Sequence, residues 1–189
     1  MRLFAAIDLS AATRAAIAAE QQRIRTALGP AGAALKWVRP DNAHLTLVFL
    51  GHVDDARVPP LVEDFGQDIT LRPFEMTFTG TGVFPERGAP RVLWAGLGAG
   101  TDAVIAVQRE LASRASRHGV ALEAREFHPH LTLARWSSSR PSDRGRVRAA
   151  AAAALLARQR VASATLYHSQ LLPSGARYTA VAHANLTGA

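Results

Sequence analysis

The tetrapeptide HLTL occurs twice in this chain, at His44–Leu47 and again at His130–Leu133. Chance rarely repeats four residues that include a histidine in a chain of 189 residues, so the repeat indicates an internal duplication. Each copy alternates polar and apolar residues, which predicts a β-strand. Because each predicted strand follows one helix and precedes another, the chain is constrained to two similar units of strands and helices.

The two units predict an α+β fold. We expect two pseudo-symmetric lobes, each an antiparallel sheet flanked by helices, which face one another across a central cleft. The sequence between the two copies contains no low-complexity linker. Residues 1–189 are therefore expected to form a single bilobal domain.

Several local features of the fold can also be predicted. Gly80–Pro90 is rich in glycine and proline and is predicted to be a loop. An alanine-rich helix is predicted over about Asp143–Ala157. The final strands are predicted at Ala164–Leu171 and Tyr178–Leu186, with the turn Pro173-Ser174-Gly175 between them.

The positive charge lies in the second half of the chain. Residues 1–94 carry 10 basic and 10 acidic side chains, whereas residues 95–189 carry 12 basic and 5 acidic ones. A basic face favours a polyanionic partner, although a solvated arginine-rich surface explains the same count. The chain has no cysteine, which suits a reducing cytoplasm. Its N-terminal apolar run is too short for a signal peptide or membrane span, so we expect a cytoplasmic protein that does not bind membranes.

The repeated tetrapeptide places two polar side chains on one face of each strand. Side chains alternate along a strand, so His44 and Thr46 point one way while the leucines anchor the other face. His130 and Thr132 have the same arrangement. If the two polar faces meet, they bring together two imidazoles for acid–base catalysis. The two hydroxyl groups could then donate hydrogen bonds to phosphate oxygens.

Two other interpretations of the histidines remain open. A single His-x-Thr on a strand is usually an ordinary polar face, and only the duplication favours function. His128 and His130 also form an HxH pair that could bind a metal. The first copy has Asn42 at the matching position, and neither HLTL segment contains a carboxylate. We therefore expect no metal site.

The paired HxTx motifs resemble those of the 2H phosphoesterases, and specifically of the RNA 2′,3′-cyclic phosphodiesterases, also called 2′-5′ RNA ligases. The resemblance extends over almost the whole chain, through RLFAAIDL, KWVRPDNAHLTLVFLG, FPERGAPRVLWAGL, FHPHLTLAR and SQLLPSGARYTAV. His52 is a departure, because an acidic residue is expected after the preceding LG.

The resemblance implies metal-free hydrolysis of a terminal 2′,3′-cyclic phosphate to a 2′-phosphate. It implies that His44 is the proton donor and that His130 is the proton acceptor that activates water. Thr46 and Thr132 would then bind the non-bridging oxygens. Arg135 is a further candidate phosphate contact, although strict alternation places it on the opposite face from His130 unless the strand bends.

ATP-dependent ligation is not expected. The single lysine, Lys36, stands in KWVR rather than KxDG, and the chain has no GKS/T loop. Joining of 2′-5′ ends would therefore run as the reverse of transesterification at the same two histidines, without ATP or any other cofactor. The expected partner is RNA with a cyclic phosphate or 2′-5′-linked end, and we expect a monomer with no obligatory protein partner. A non-catalytic RNA-binding module is the alternative.

Overall fold

The computed structural model describes residues 1–151, 154–173 and 175–188. Within those residues the chain forms nine strands and four α-helices. In chain order these are β1 (Arg2–Asp8), α1 (Ala11–Leu28), β2 (Leu35–Trp37), β3 (His44–His52), α2 (Val58–Phe65), β4 (Phe74–Phe84), β5 (Val92–Leu97), α3 (Thr101–Arg117), β6 (His130–Trp136), α4 (Asp143–Ala150), β7 (Leu155–Val161), β8 (Ser163–Leu172) and β9 (Gly175–Asn185).

The strands form two antiparallel sheets. The first has the order β3-β1-β8-β9 and the second the order β2-β6-β5-β4-β7. If the short strand β2 is left out, strands β6, β5, β4 and β7 of the second sheet occupy the same positions as β3, β1, β8 and β9 of the first. In both sheets the HLTL strand pairs with a strand from which a helix separates it in the sequence. Strand β3 pairs with β1, and β6 pairs with β5. The α+β fold with two related antiparallel sheets is confirmed.

The helices are exchanged between the two sheets. Helix α1 follows a strand of the first sheet but packs against β7 of the second, together with α4. Helix α3 follows a strand of the second sheet but packs against β3 of the first, beside α2. Each sheet is therefore covered by a helix that begins in the other half of the fold.

Local sequence explains the bounds of α1. The Ser10 hydroxyl accepts a hydrogen bond from the Thr13 backbone N–H at 3.1 Å, which caps the first turn. Ile17 and Ile24 lie on the buried face. The helix ends at Gly29, whose φ of 51° is readily adopted by glycine. Of the helices in the described part of the chain, none is long and apolar enough to cross a membrane.

Two local predictions were wrong. The predicted helix 143–157 ends at Ala150, and Leu155–Val161 instead forms β7, which pairs with β4. This long-range pairing overrides the helix propensity of the alanine-rich sequence. The predicted loop 80–90 begins too early, because β4 continues to Phe84.

The final two strands are confirmed as β8 and β9, which pair with one another. In the predicted turn between them, Ser174 lies outside the described residues.

Candidate active site

The two HLTL segments lie where the sheets meet. Strand β3 of the first sheet contacts strand β6 of the second. Along each segment the leucines are buried, whereas the histidine and threonine are partly exposed. His44 and Thr46 therefore share one face of β3, and His130 and Thr132 share one face of β6, as alternation predicts.

Each HLTL strand contains a bulge at the same position. In β3, Thr46 pairs with Ala6 and Val48 with Ala5, which leaves Leu47 as the extra residue. In β6, Thr132 pairs with Trp94 and Ala134 with Leu93, so that Leu133 is the extra residue. The duplication thus includes a backbone irregularity in addition to the repeated residues.

The bulge in β6 changes the position of Arg135. Leu133 and Ala134 are both fully buried, which interrupts the strict alternation. Arg135 is exposed on the face that carries His130 and Thr132. Strict alternation from His130 predicts the opposite face unless the strand bends, and the bulge supplies that bend. Arg135 is therefore part of the candidate site.

The carbonyl of the bulge in β6 is held by helix α1. The buried Gln21 side chain donates one hydrogen bond to the Leu133 carbonyl at 2.9 Å and one to the Val38 carbonyl at 2.9 Å. The backbone N–H of Val38 also donates to the Leu133 carbonyl. These bonds satisfy the acceptor at the irregular residue, so they hold the segment that orients Thr132 and Arg135.

The two imidazoles are oriented in the same way. His44 Nδ1 lies 2.8 Å from the Asn42 carbonyl oxygen, and His130 Nδ1 lies 2.7 Å from the His128 carbonyl oxygen. A carbonyl oxygen only accepts hydrogen bonds, so Nδ1 must carry the proton in both rings. In the neutral imidazoles, Nε2 is then unprotonated and available for proton transfer.

Aromatic rings flank both imidazoles. The ring centroids of Phe4 and His44 are 4.7 Å apart, and Tyr178 approaches His44 edge-on at 5.3 Å. Phe84 approaches His130 edge-on at 5.0 Å, with Trp94 at 6.4 Å. These rings limit the access of water to each imidazole. Burial accordingly lowers the pKa of both His44 and His130 below the ordinary value.

Neighbouring groups affect the pKa of the two histidines differently. For His44, the Asn42 carbonyl and the Asp8 carboxylate offset part of the effect of burial, and the pKa stays below its ordinary value. For His130, the His128 carbonyl opposes burial, but Arg135 and the His128 ring lower its pKa further. The charged neighbours alone thus act in opposite directions, with Asp8 favouring the protonated form of His44 and Arg135 and His128 disfavouring that of His130.

Asp8 was not identified from the sequence. It is the cross-strand partner of His44 at the end of β1. The Tyr167 hydroxyl donates to Asp8 Oδ1 at 2.5 Å, and the Thr165 hydroxyl donates to Oδ2 at 2.7 Å. Burial and the hydrogen bond to Asp8 raise the pKa of the Tyr167 phenol, so Tyr167 remains a donor. The carboxylate is thus held in place beside His44 by two residues of β8.

The end of β1 is also tied to the second sheet. The buried Gln159 side chain, on β7, donates to the Asp8 carbonyl at 2.9 Å and accepts from the Ser10 N–H at 3.0 Å. Hydrogen bonds between the sheets therefore fix the position of Asp8. These contacts join residues about 150 positions apart in the chain, so no local sequence signal could reveal them.

The two histidines of the HxH pair differ in their surroundings. His128 is 65% exposed, and its Nε2 lies 3.9 Å from a Glu126 carboxylate oxygen. The Nδ1 atom of His130 is engaged by the His128 carbonyl. No cluster of three or more metal-ligating His, Cys, Asp or Glu side chains is found in residues 1–151, 154–173 and 175–188.

Two antiparallel sheets, each presenting a His-x-Thr pair at their junction, define a 2H phosphoesterase. The family described as LigT like Phosphoesterase matches this chain over residues 7–94 and 98–178. The chain therefore belongs to the LigT-like phosphoesterase family, as the resemblance implied. The match includes both HxTx motifs.

Curated relatives carry a more specific name. A Methanothermobacter thermautotrophicus protein named RNA 2′,3′-cyclic phosphodiesterase is 33% identical over 187 residues, which span 95% of each chain. An Archaeoglobus fulgidus protein of the same name is 32% identical over 75% of this chain and 76% of its own. The alignment with a third, from Aeropyrum pernix, is 33% identical and spans 62% of this chain and 66% of the relative.

Solved structures share the fold. The protein TT0787 of Thermus thermophilus superposes with a TM-score of 0.81 at 28% identity, over 100% of this chain and 99% of its own. Escherichia coli LigT complexed with 3′-AMP gives a TM-score of 0.77 at 32% identity, over 98% of both chains. The arrangement of two sheets and exchanged helices is therefore shared with known members of the family.

Proposed function

We propose that this protein is an RNA 2′,3′-cyclic phosphodiesterase that hydrolyses a terminal 2′,3′-cyclic phosphate to a 2′-phosphate. The observation that carries the proposal is the pair of His-x-Thr segments at the junction of the two sheets, with both imidazoles in the same tautomer. The names of the relatives support the same activity. Family membership and site geometry thus favour one reaction.

His130 is proposed to act as the general base and His44 as the general acid. His130 Nε2 accepts a proton from water as the water oxygen forms a bond to phosphorus. The bond from phosphorus to O3′ breaks, and His44 donates its proton to O3′. The order is supported by the surroundings, because Asp8 favours a protonated His44, whereas Arg135 and His128 favour a neutral His130. Solvent then resets both protonation states.

Three further residues are proposed to bind the phosphate. The hydroxyls of Thr46 and Thr132 share the faces of the catalytic histidines and would donate to the non-bridging oxygens. Arg135 lies on the same face as His130 because of the bulge, and its guanidinium would stabilise the charge that develops in the transition state. No step in this scheme needs a metal or an organic cofactor.

Joining of 2′-5′ ends is proposed as a side reaction of the same site. A 5′-hydroxyl oxygen would replace water and form the new bond to phosphorus while the bond to O3′ breaks. The proton of the 5′-hydroxyl would leave through His130, and O3′ would receive one from His44. This exchange of one phosphodiester bond for another consumes no ATP.

The decisive experiment is an assay on an oligoribonucleotide that ends in a 2′,3′-cyclic phosphate, with EDTA present throughout. We expect full turnover to a 2′-phosphate end. Loss of activity with the chelator, and recovery with Zn²⁺ or Mn²⁺, would contradict the metal-free mechanism. Tight RNA binding without turnover of any cyclic phosphate end would instead identify a non-catalytic RNA-binding module.

We further propose that the protein acts as a cytoplasmic monomer. Both HxTx motifs lie on one chain, so a partner subunit is not needed to complete the site. Light scattering coupled to size exclusion is expected to give one chain's mass of 20.2 kDa, and a stable dimer under assay conditions would contradict the proposal.

A further inference from the structure

A polar cavity opens beside His44. Its volume is about 290 Å³. It is separate from the residues proposed above to perform the reaction, since it contains none of them. The residues that line it are Arg39, Asn42, Leu172, Gly175, Ala176, Arg177 and Tyr178.

Two lining residues connect this cavity to the catalytic imidazole. The Asn42 carbonyl accepts the hydrogen bond from His44 Nδ1, and the Asn42 side chain donates to the Ala176 carbonyl at 3.0 Å. Tyr178 meets the His44 ring edge-on at 5.3 Å. Asn42 and Tyr178 therefore belong both to the lining of the cavity and to the surroundings of His44. A ligand that occupies the cavity would therefore contact two residues that touch the His44 imidazole.

The cavity carries an uncompensated positive charge. Its two charged residues are Arg39 and Arg177, and both side chains are exposed. Neither guanidinium forms an ion pair with any carboxylate in the described ranges of the chain, and no carboxylate lines the cavity. Two guanidinium groups without carboxylate partners that line one cavity suit a phosphate group.

A second cavity of about 520 Å³ shows that this charge is not a general property of the surface. Arg109 and Arg114 line it together with Asp68 and Glu110. Arg114 is buried, pairs with Glu110 at 2.8 Å and donates to three backbone carbonyls between residues 64 and 68. In the second cavity the positive charges of the arginines are thus balanced by the carboxylates of Asp68 and Glu110. This cavity therefore attracts an anion less than the one beside His44.

We propose that Arg39 and Arg177 bind the phosphodiester backbone of the RNA strand immediately upstream of the terminal cyclic phosphate. This inference rests on the proposed function. A cyclic phosphate ends its strand, so the only backbone attached to it runs in the 5′ direction. A nucleoside 2′,3′-cyclic phosphate with a free 5′-hydroxyl lacks that backbone. The enzyme therefore distinguishes an RNA end from a cyclic mononucleotide at this cavity.

The test compares two substrates in the double variant Arg39→Gln/Arg177→Gln. One substrate is an oligoribonucleotide with a 2′,3′-cyclic phosphate end, and the other is a nucleoside 2′,3′-cyclic monophosphate. We expect kcat/KM for the oligonucleotide to fall by about tenfold, because two charge-assisted contacts at exposed side chains are lost. We expect kcat/KM for the mononucleotide to change by less than about twofold, because it never reaches these arginines.

Salt dependence provides an independent measure. Each phosphate contact to a single strand contributes about 0.7 to the slope of log affinity against log salt, so two lost contacts should make the oligonucleotide slope shallower by about 1.4. Arg109→Gln is the matched control, because it removes one exposed arginine that lines the other cavity. It should leave both substrates and the salt slope unchanged.

The outcomes separate this inference from the proposed function. Equal losses on both substrates, or an unchanged oligonucleotide rate and salt slope in the double variant, would overturn the backbone site while leaving the phosphodiesterase intact. Failure of the wild-type protein to turn over either substrate would overturn the proposed function and the backbone site with it. Thermal unfolding of the variant at the wild-type temperature is the check that folding is unaltered.

Discussion

The two halves of this protein share a scaffold and differ in charge. Both contain HLTL on a strand with a bulge at the residue after the threonine, and both turn Nδ1 of the histidine toward a carbonyl two residues earlier. Beyond that point the halves diverge. The His44 half places the carboxylate of Asp8 near the imidazole, whereas the His130 half places Arg135 there.

The comparison teaches how a duplicated site can divide a reaction between two identical side chains. An acid and a base at one pH require opposite protonation states. The backbone duplication supplies the same tautomer and the same geometry twice. The charges that differ between the halves come from positions outside the repeated tetrapeptide. Phe49 in the first copy corresponds to Arg135 in the second, because each lies two residues beyond the extra residue of its bulge.

The largest expected effect comes from removing either imidazole. His44→Ala and His130→Ala should each lower turnover of a cyclic phosphate end by about 10²- to 10⁴-fold, the usual contribution of a general acid or base. The double variant should be little worse than either single variant, because groups that act as a unit are not additive. Steady-state rates on the oligoribonucleotide measure this, and a single variant with near wild-type turnover would show that the two halves do not share one reaction.

The hydroxyls of Thr46 and Thr132 should each contribute less to turnover than the imidazoles, and by similar amounts in the two halves. Thr46→Val and Thr132→Val keep the shape of the side chain and remove the hydroxyl. Each should cost about 1–3 kcal/mol in transition-state stabilisation, the scale of a hydrogen bond to a charged group. The ratio of kcat/KM between wild type and variant gives this energy. A large effect in one half alone would mean that only one hydroxyl reaches the phosphate.

The packing of the Trp94 ring beside His130 should depend on the absence of a side chain at Gly82. A Cβ at Gly82 would lie 2.1 Å from the nearest atom of the Trp94 ring, so Gly82→Ala forces that ring to move. Overpacking of this kind costs about 1–3 kcal/mol in the free energy of unfolding, which denaturant titration measures. Gly145→Ala is the control, since a Cβ there meets no atom within 4 Å and alanine suits a helix better. Equal stabilities of the two variants would contradict the packing argument.

The smallest expected effects are shifts in the pH dependence of kcat/KM. In the proposed scheme the basic limb of a bell-shaped profile reports loss of the proton from His44, and the acidic limb reports protonation of His130. Asp8→Asn removes a charge that raises the pKa of His44, so the basic limb should move to lower pH. Arg135→Gln removes a charge that lowers the pKa of His130, so the acidic limb should move to higher pH, together with a lower maximum.

The two shifts provide a direct test of the assignment of acid and base. If Asp8→Asn moved the acidic limb instead of the basic limb, His44 would be the base and the roles would be reversed. Asp54→Asn is a suitable control for the charge change, because Asp54 is 75% exposed and pairs with Arg57 rather than with a histidine. It should leave both limbs in place.

The sequence predicted the parts of this protein that depend on local pattern. The repeated HLTL predicted that His44 shares a strand face with Thr46 and His130 with Thr132, because alternation along a strand is a local property. Local reasoning also accounts for the bounds of α1, through its cap at Ser10 and the glycine at position 29 that follows its last turn. It failed at β7, where pairing with β4 outweighs the helix propensity of an alanine-rich segment.

The tertiary structure decided which charges and surfaces surround those residues. Arg135 joins the site only because a bulge shifts its face, and the bulge is visible in the pairing of β6 with β5 rather than in the letters of β6. Asp8 reaches His44 through strand register, and Tyr167 and Thr165 reach Asp8 from the far end of the chain. The physical reason is that electrostatic effects act through space, over a few ångströms, between residues whose separation along the chain carries no information about their distance.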